Sequence, residues 1–214
     1  MAKTIGQMTA ETREINVEKG WRPAAGGPGA NTFGDYLALL HSEASEMLEA
    51  FRDWRLDDAT KPTSECRVLA GDLSYCHVHY QPVAKCGKPQ GVGSELADVL
   101  IRLLDSGDVF EIPVFDPDSE LADVAPMPIP DRVVTFGDHV TWLHECIAAV
   151  PHPSQLTSPK TFVRALPHLL RSVVAVAQRY GIDLDAEYER KQAYNRTRPY
   201  QHGGRTLADG PAAR

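Results

Sequence analysis

Wherever the chain is strongly apolar, its hydrophobic residues return at helical intervals, and alternating strand patterns are scarce. This spacing predicts an all-α protein. The clearest stripe is Phe33, Leu37, Leu40, Ala44, Met47, Leu48, Phe51 and Trp54, one side of an amphipathic helix. Thr32 precedes it, and Asp35 three residues later gives the spacing of a capping box. A second stripe, Leu96, Val99, Leu100, Leu103 and Leu104, runs through "ELADVLIRLLD", with Ser94 as its expected cap. Further helices are expected over roughly 9–19, within "TFGDHVTWLHECIAAV" at 135–150, along "FVRALPHLLRSVVAVAQRYG" and over 183–198. In the last but one of these, Pro167 falls near the expected start and Gly181 is the expected C-cap. "PAAGGPGAN" at 23–31 breaks any helix, and residues 56–93 and 106–132 read as connectors, the first with room for a short hairpin.

Divided this way, residues 1–31 form an N-terminal helix and linker and residues 32–214 an all-α domain. One echo subdivides that domain. "TFGDYLALLH" at 32 and "TFGDHVTWLH" at 135 share Thr, Phe, Gly, Asp, Leu and His at a constant offset of 103. We read this as degenerate duplication of a helical unit, 32–105 and 132–200, against the alternative that one capping pattern arose twice.

A formal net charge of -7 argues against a nucleic-acid polymer as partner, because binding one requires many phosphates to be neutralised by Lys and Arg. Small anions handled through a metal stay open. No apolar run approaches the roughly 20 residues that span a bilayer, and the N-terminus lacks a signal-peptide core, so no membrane partner and a cytoplasmic location are expected. Cys66, Cys76, Cys86 and Cys146 are then expected as thiols. Cys66, Cys76, His77, His79 and Cys86 cluster in the first connector, but their spacing fits none of the common zinc patterns, and a loop with thiols and surface histidines is preferred to a zinc site.

Carboxylates carry the chemistry. Residues three apart on a helix share a face, and Glu43 with Glu46 flank the first stripe as Glu95 with Asp98 flank the second, on the same side. Two helices packed through those stripes would aim four carboxylates into one cleft. Crowded carboxylates near a core repel and resist desolvation. Oxygen-seeking Mg²⁺, with Mn²⁺ as a substitute, resolves that conflict and brings phosphate oxygens with it. Either pair alone is ordinary on a solvated helix face; the coincidence of both carries the reading. The echo lacks them, having Cys146 and Ala149 at the matching positions.

Lys191, Asn195 and Arg198 stand at i, i+4 and i+7 near the C-terminus, offering two cations and an amide toward a phosphate chain, or else forming an ordinary basic helix end. Trp21, with Asn16 and Lys19, could stack on a base, although packing of a short helix is the preferred reading. His41 lies across the stripe from Glu43, and His144 repeats it in the copy without carboxylates, so a packing role is assigned to both.

"HSEASEMLEAFR", "GVGSELADVLIRLLD" and "YGIDLDAEYERKQAYNRTRPYQHGGR", in that order, resemble the two acidic helices and the closing segment of the MazG-like all-α NTP pyrophosphohydrolases. The resemblance implies a MazG-like bundle that hydrolyses a nucleoside triphosphate to monophosphate and pyrophosphate. It implies metals on Glu43, Glu46, Glu95 and Asp98, phosphate contacts from Lys191, Asn195 and Arg198, and homodimers or homotetramers. Ser42 replaces a Glu frequent in that family, and the connectors are long; with the echo, the layout is similar to the fused double unit of dimeric dUTPase-type relatives. The alternative is a non-catalytic helical binding module whose carboxylates keep a structural cation.

Overall fold

Thr4 opens the first helix, earlier than the apolar spacing predicts. Its hydroxyl accepts from the Gln7 N–H at 3.2 Å while the Gln7 side chain accepts from the Thr4 N–H at 2.9 Å, a reciprocal cap. In this computed structural model residues 2–25, 27–29, 31–59, 75–76, 81–82, 89, 91–151 and 159–200 are described, with backbone alone at 53–59, 75–76, 81–82 and 159–163. Among the described residues the chain is all-helical apart from one minimal hairpin. The helices are α1 Ile5–Glu18, α2 Phe33–Ala59, α3 Val92–Val109, α4 Phe136–Ala148, α5 Pro159–Tyr180 and α6 Leu184–Thr197. Strands β1 Tyr75–Cys76 and β2 Gln81–Pro82 pair antiparallel inside the first connector, and a 3-10 turn at Leu121–Asp123 interrupts the second. No helix among the described residues is long and apolar enough to cross a membrane.

Three further boundaries differ from expectation for local reasons. Ser94 does not cap α3: Gly91 does, at φ 98°, a left-handed conformation that glycine adopts without strain, and Ser94 lies inside the helix. Pro159 opens α5, where a missing N–H costs nothing, so Pro167 falls well inside the helix instead of near its start. The first connector begins later than expected because α2 runs to Ala59. Gly181 ends α5 as expected, at φ 65°, with the Ile182 N–H reaching back to the Ala177 carbonyl at 2.9 Å.

The core forms around α3. Every residue from Val92 to Val109 is buried except Asp98, Arg102 and Asp108, which are half-buried. Helices α1, α2, α5 and α6 all pack on it. On α2 the predicted stripe supplies Phe33, Leu40, Ala44 and Met47 to this core, and α5 adds Leu169, Leu170, Val173 and Val176. Thr32 and Thr135 both build the predicted capping boxes, with Asp35 and Asp138 as reciprocal acceptors.

Helices α2 and α4 face each other. His41 Nδ1 lies 2.8 Å from His144 Nδ1 with the rings stacked, and Phe51 stacks on Phe136. As numbering rises along α2 it falls along α4, so the two run antiparallel. The N-terminal helix is tied into the bundle from the other side. Tyr188 on α6 donates to the Met8 carbonyl at 2.8 Å, and Gln192 donates to Thr12 Oγ1 at 2.8 Å. The second connector closes over the start of α1, where Ser119 and Pro117 carbonyls accept the Ile5 and Gly6 N–H groups at 2.8 and 2.9 Å.

Candidate metal centre

An uninterrupted apolar helix needs no charge, yet α3 carries Glu95, Asp98, Arg102 and Asp105 at i, i+3, i+7 and i+10. That spacing lays one polar stripe along an otherwise buried rod. The helices packed beside it answer the stripe. From α2 comes Glu43, 7% exposed, and from α6 comes Lys191, 1% exposed.

Glu43, Glu95 and Asp98 each present a carboxylate oxygen within 4.8 Å of the other two. Lys191 Nζ lies 2.6 Å from Asp98 Oδ2 and 3.6 Å from Glu95 Oε2. Arg102 Nε donates to Glu43 Oε1 at 3.1 Å. The predicted convergence of α2 and α3 thus places three of the four carboxylates together. Glu46 stands one turn along α2, outside the trio, with Ser42 Oγ donating to its Oε1 at 3.4 Å. It remains near enough to act on Glu43 through space.

Close approach of α6 depends on one small residue. A Cβ at Gly93 would sit 2.9 Å from Glu187 Oε1 and 3.0 Å from Glu187 Cγ. Glycine there lets the helices meet, and Lys191, one turn beyond Glu187, then reaches the carboxylates two and five residues past Gly93. Ser94 is fully buried beside this contact, its hydroxyl without a hydrogen-bond partner among the described residues.

Burial raises the Glu43 carboxyl above its ordinary range, and Asp98 and Glu46 push the same way, against the opposing pull of Arg102. Burial opposes charge on Lys191, but Asp98 and Glu95 outweigh it and hold the ammonium above the usual lysine value. Arg102 is treated likewise, its desolvation overcome by Glu43 and Asp98. Three carboxylates against two cations leave the cluster one negative charge in excess. Oxygen donors, close spacing and residual charge together fit a hard divalent cation.

The basic trio of α6 divides. Lys191 enters the cluster, whereas Asn195 turns to Gln192, its Nδ2 donating to Oε1 at 3.4 Å. Arg198, just past the helix end, lies over the Trp21 ring at 5.1 Å and the Tyr194 ring at 5.9 Å. Burial lowers its pKa, and Arg102 lowers it further. One face of Trp21 is therefore taken by a guanidinium of its own chain. Asn16 accepts the Trp21 and Arg22 N–H groups on its carbonyl at 2.8 and 3.1 Å, and Lys19 pairs with Glu18 at 2.8 Å.

Two groups of charges escaped the sequence reading. Arg102 is the partner of Glu43, and its position four residues after Asp98 on the same flank was the available signal. Farther along α3, Asp108 is held by Arg13 and Arg22, and Asp105 lies 3.5 Å from Arg22. His41 and His144 do pack together, each with its pKa lowered by burial. Cys146 is a free thiol that accepts from Ser172 Oγ at 3.3 Å. The candidate zinc ligands Cys66, His77, His79 and Cys86, and the Cys76 side chain, lie outside the described residues.

No family model, curated protein or solved structure matches the chain.

Proposed function

We propose that the protein is a divalent-metal-dependent nucleoside triphosphate pyrophosphohydrolase. The observation that carries this reading is the meeting of Glu43, Glu95 and Asp98, from helices far apart in the chain, with Lys191 of the C-terminal helix among them. Glu43, Glu95 and Asp98 would hold Mg²⁺ or Mn²⁺; when bound, such an ion neutralises phosphate oxygens and acidifies a coordinated water. Hydrolysis joins the water oxygen to the α-phosphorus and breaks the bond to the bridging oxygen, which departs with pyrophosphate. Glu46, beside the trio and not within it, would take the water's proton. Lys191, lying against these carboxylates, and Arg198, just past the end of α6, would supply positive charge toward the triphosphate, and Asn195 an amide. The antiparallel pairing of α2 and α4 through His41 and His144, residues related by the offset of 103, supports a duplicated unit in which one chain supplies what two supply in a MazG-like dimer. On this reading the protein is cytoplasmic and assembles as a homodimer more readily than as a homotetramer.

The test is a screen of canonical and modified triphosphates with Mg²⁺ and Mn²⁺, read as pyrophosphate release. Turnover by the unaltered protein and its loss in Glu46→Gln and Asp98→Asn are expected. One observation favours a second reading: Lys191 and Arg102 already offset most of the cluster's charge, so the centre can stand as an ion-pair network inside a binding module. Turnover of none of the triphosphates, in protein shown to be folded, selects that module.

A further inference from the structure

Lys191 is an unusual way to occupy a carboxylate centre. Burying an ammonium is costly unless carboxylates meet it, and here the side chain is 2% exposed with Asp98 at 2.6 Å and Glu95 at 3.6 Å. Those are two of the three carboxylates that bring their oxygens within 4.8 Å of one another. A divalent ion needs oxygen contacts of about 2.0–2.5 Å, shorter than the ammonium's. An ammonium lying against the same groups repels the ion and lowers the negative charge that draws it in, so the two compete. Helix α6 itself is fixed, by Glu187 against Gly93 and by the hydrogen bonds of Tyr188 and Gln192 to α1. The four-carbon stem of Lys191 can still move without shifting the helix. Arg102, by contrast, approaches Glu43, through Nε at 3.1 Å.

We propose that Lys191 is a built-in counter-ion that holds the metal-free centre together and competes with the divalent cation for Asp98 and Glu95. Metal entry then drives the ammonium off these carboxylates and releases it toward an anionic ligand, so that metal binds before phosphate. The inference rests on the metal centre of the proposed function and adds an order of binding to it.

Mn²⁺ binding, measured by electron paramagnetic resonance without any nucleotide, tests the competition. Lys191→Met keeps the reach of the side chain and removes its charge. The variant should bind Mn²⁺ about tenfold more tightly, as expected if the receptive arrangement is about one-tenth populated in the unaltered protein. Equal affinities overturn the inference and leave the metal centre intact. Weaker binding by the variant also overturns it, making Lys191 a support and not a competitor. Failure of both proteins to bind Mn²⁺ removes the metal centre and the inference together. A second readout avoids substitution altogether: acylation of Lys191 in the unaltered protein, followed by mass spectrometry, should quicken several-fold in saturating Mn²⁺. An unchanged rate overturns the inference even where Lys191→Met does not fold.

Discussion

Asp98 and Glu43 belong to one centre but hold opposite places in its energetics. Asp98 is the nearest partner of a buried lysine, at 2.6 Å. Breaking such a pair strands the remaining charge, and Asp98→Asn should cost about 2–3 kcal/mol, the lower side for buried pairs because this carboxylate is partly exposed. Glu43 is strained by burial and by its acidic neighbours, as its raised pKa records. Glu43→Gln removes that repulsion while Arg102 keeps the attraction of Asp98 and Asp105. Its metal-free stability should therefore be unchanged or higher, with divalent-ion binding lost. Urea denaturation in EDTA separates the two; equal destabilisation by both substitutions would refute the division. Each carboxylate was legible from spacing alone, whereas their partners were not. Helical periodicity says which face a residue occupies and nothing about which helix lies opposite. Spacing offers Lys191 either a phosphate or an ordinary helix end, and it does not show that the buried ammonium lies against Asp98 and Glu95.

Between elements, the pairing of α2 with α4 turns on two imidazoles. An Nδ1 to Nδ1 contact of 2.8 Å requires one ring to donate and the other to accept, so a second proton breaks it. Burial lowers both pKa values from the ordinary 6.5, and the neighbouring His41 lowers His144 further. With folded values below unfolded ones, the unfolded chain binds more protons in the interval. Stability is then complete above about 6.5 and declines as the pH falls below it. Thermal melts between pH 7.5 and 5.5 should show a steeper loss for the unaltered protein than for His144→Gln; parallel curves would mean the pair does not titrate in this window. The elements themselves were largely readable, since capping at Thr32 and Thr135 and the ending at Gly181 are local chemistry. What misled was chemistry between segments. Ser94 looks like a cap, but Gly91 can turn where Ser94 cannot, and Gly93 must stay small for Glu187 to pass.

For the whole molecule, the centre is the point at which α2, α3 and α6 are charged toward one another, with α1 holding α6 from behind. An excess negative charge in that place works against closure of the bundle, and a divalent cation that binds only the folded arrangement must stabilise it. At a hundred times its dissociation constant, such a ligand adds about 2.7 kcal/mol. For a chain of this length about 1 kcal/mol moves the melting temperature roughly 2–4 °C, so Mn²⁺ against EDTA should raise it by about 5–10 °C. The rise must vanish in Asp98→Asn, which separates the centre from diffuse binding to a chain of net charge -7. Tyr188→Phe probes the same coupling from the far side of α6. It strips donors and acceptors from a buried network linking Met8, Thr12 and Gln192, at about 1–3 kcal/mol. If α1 positions α6 and α6 positions Lys191, this variant should also change Mn²⁺ affinity, although Tyr188 is not one of the carboxylates or their cations. An affinity identical to that of the unaltered protein, in the face of the lost stability, would show that the centre is set by α2 and α3 alone.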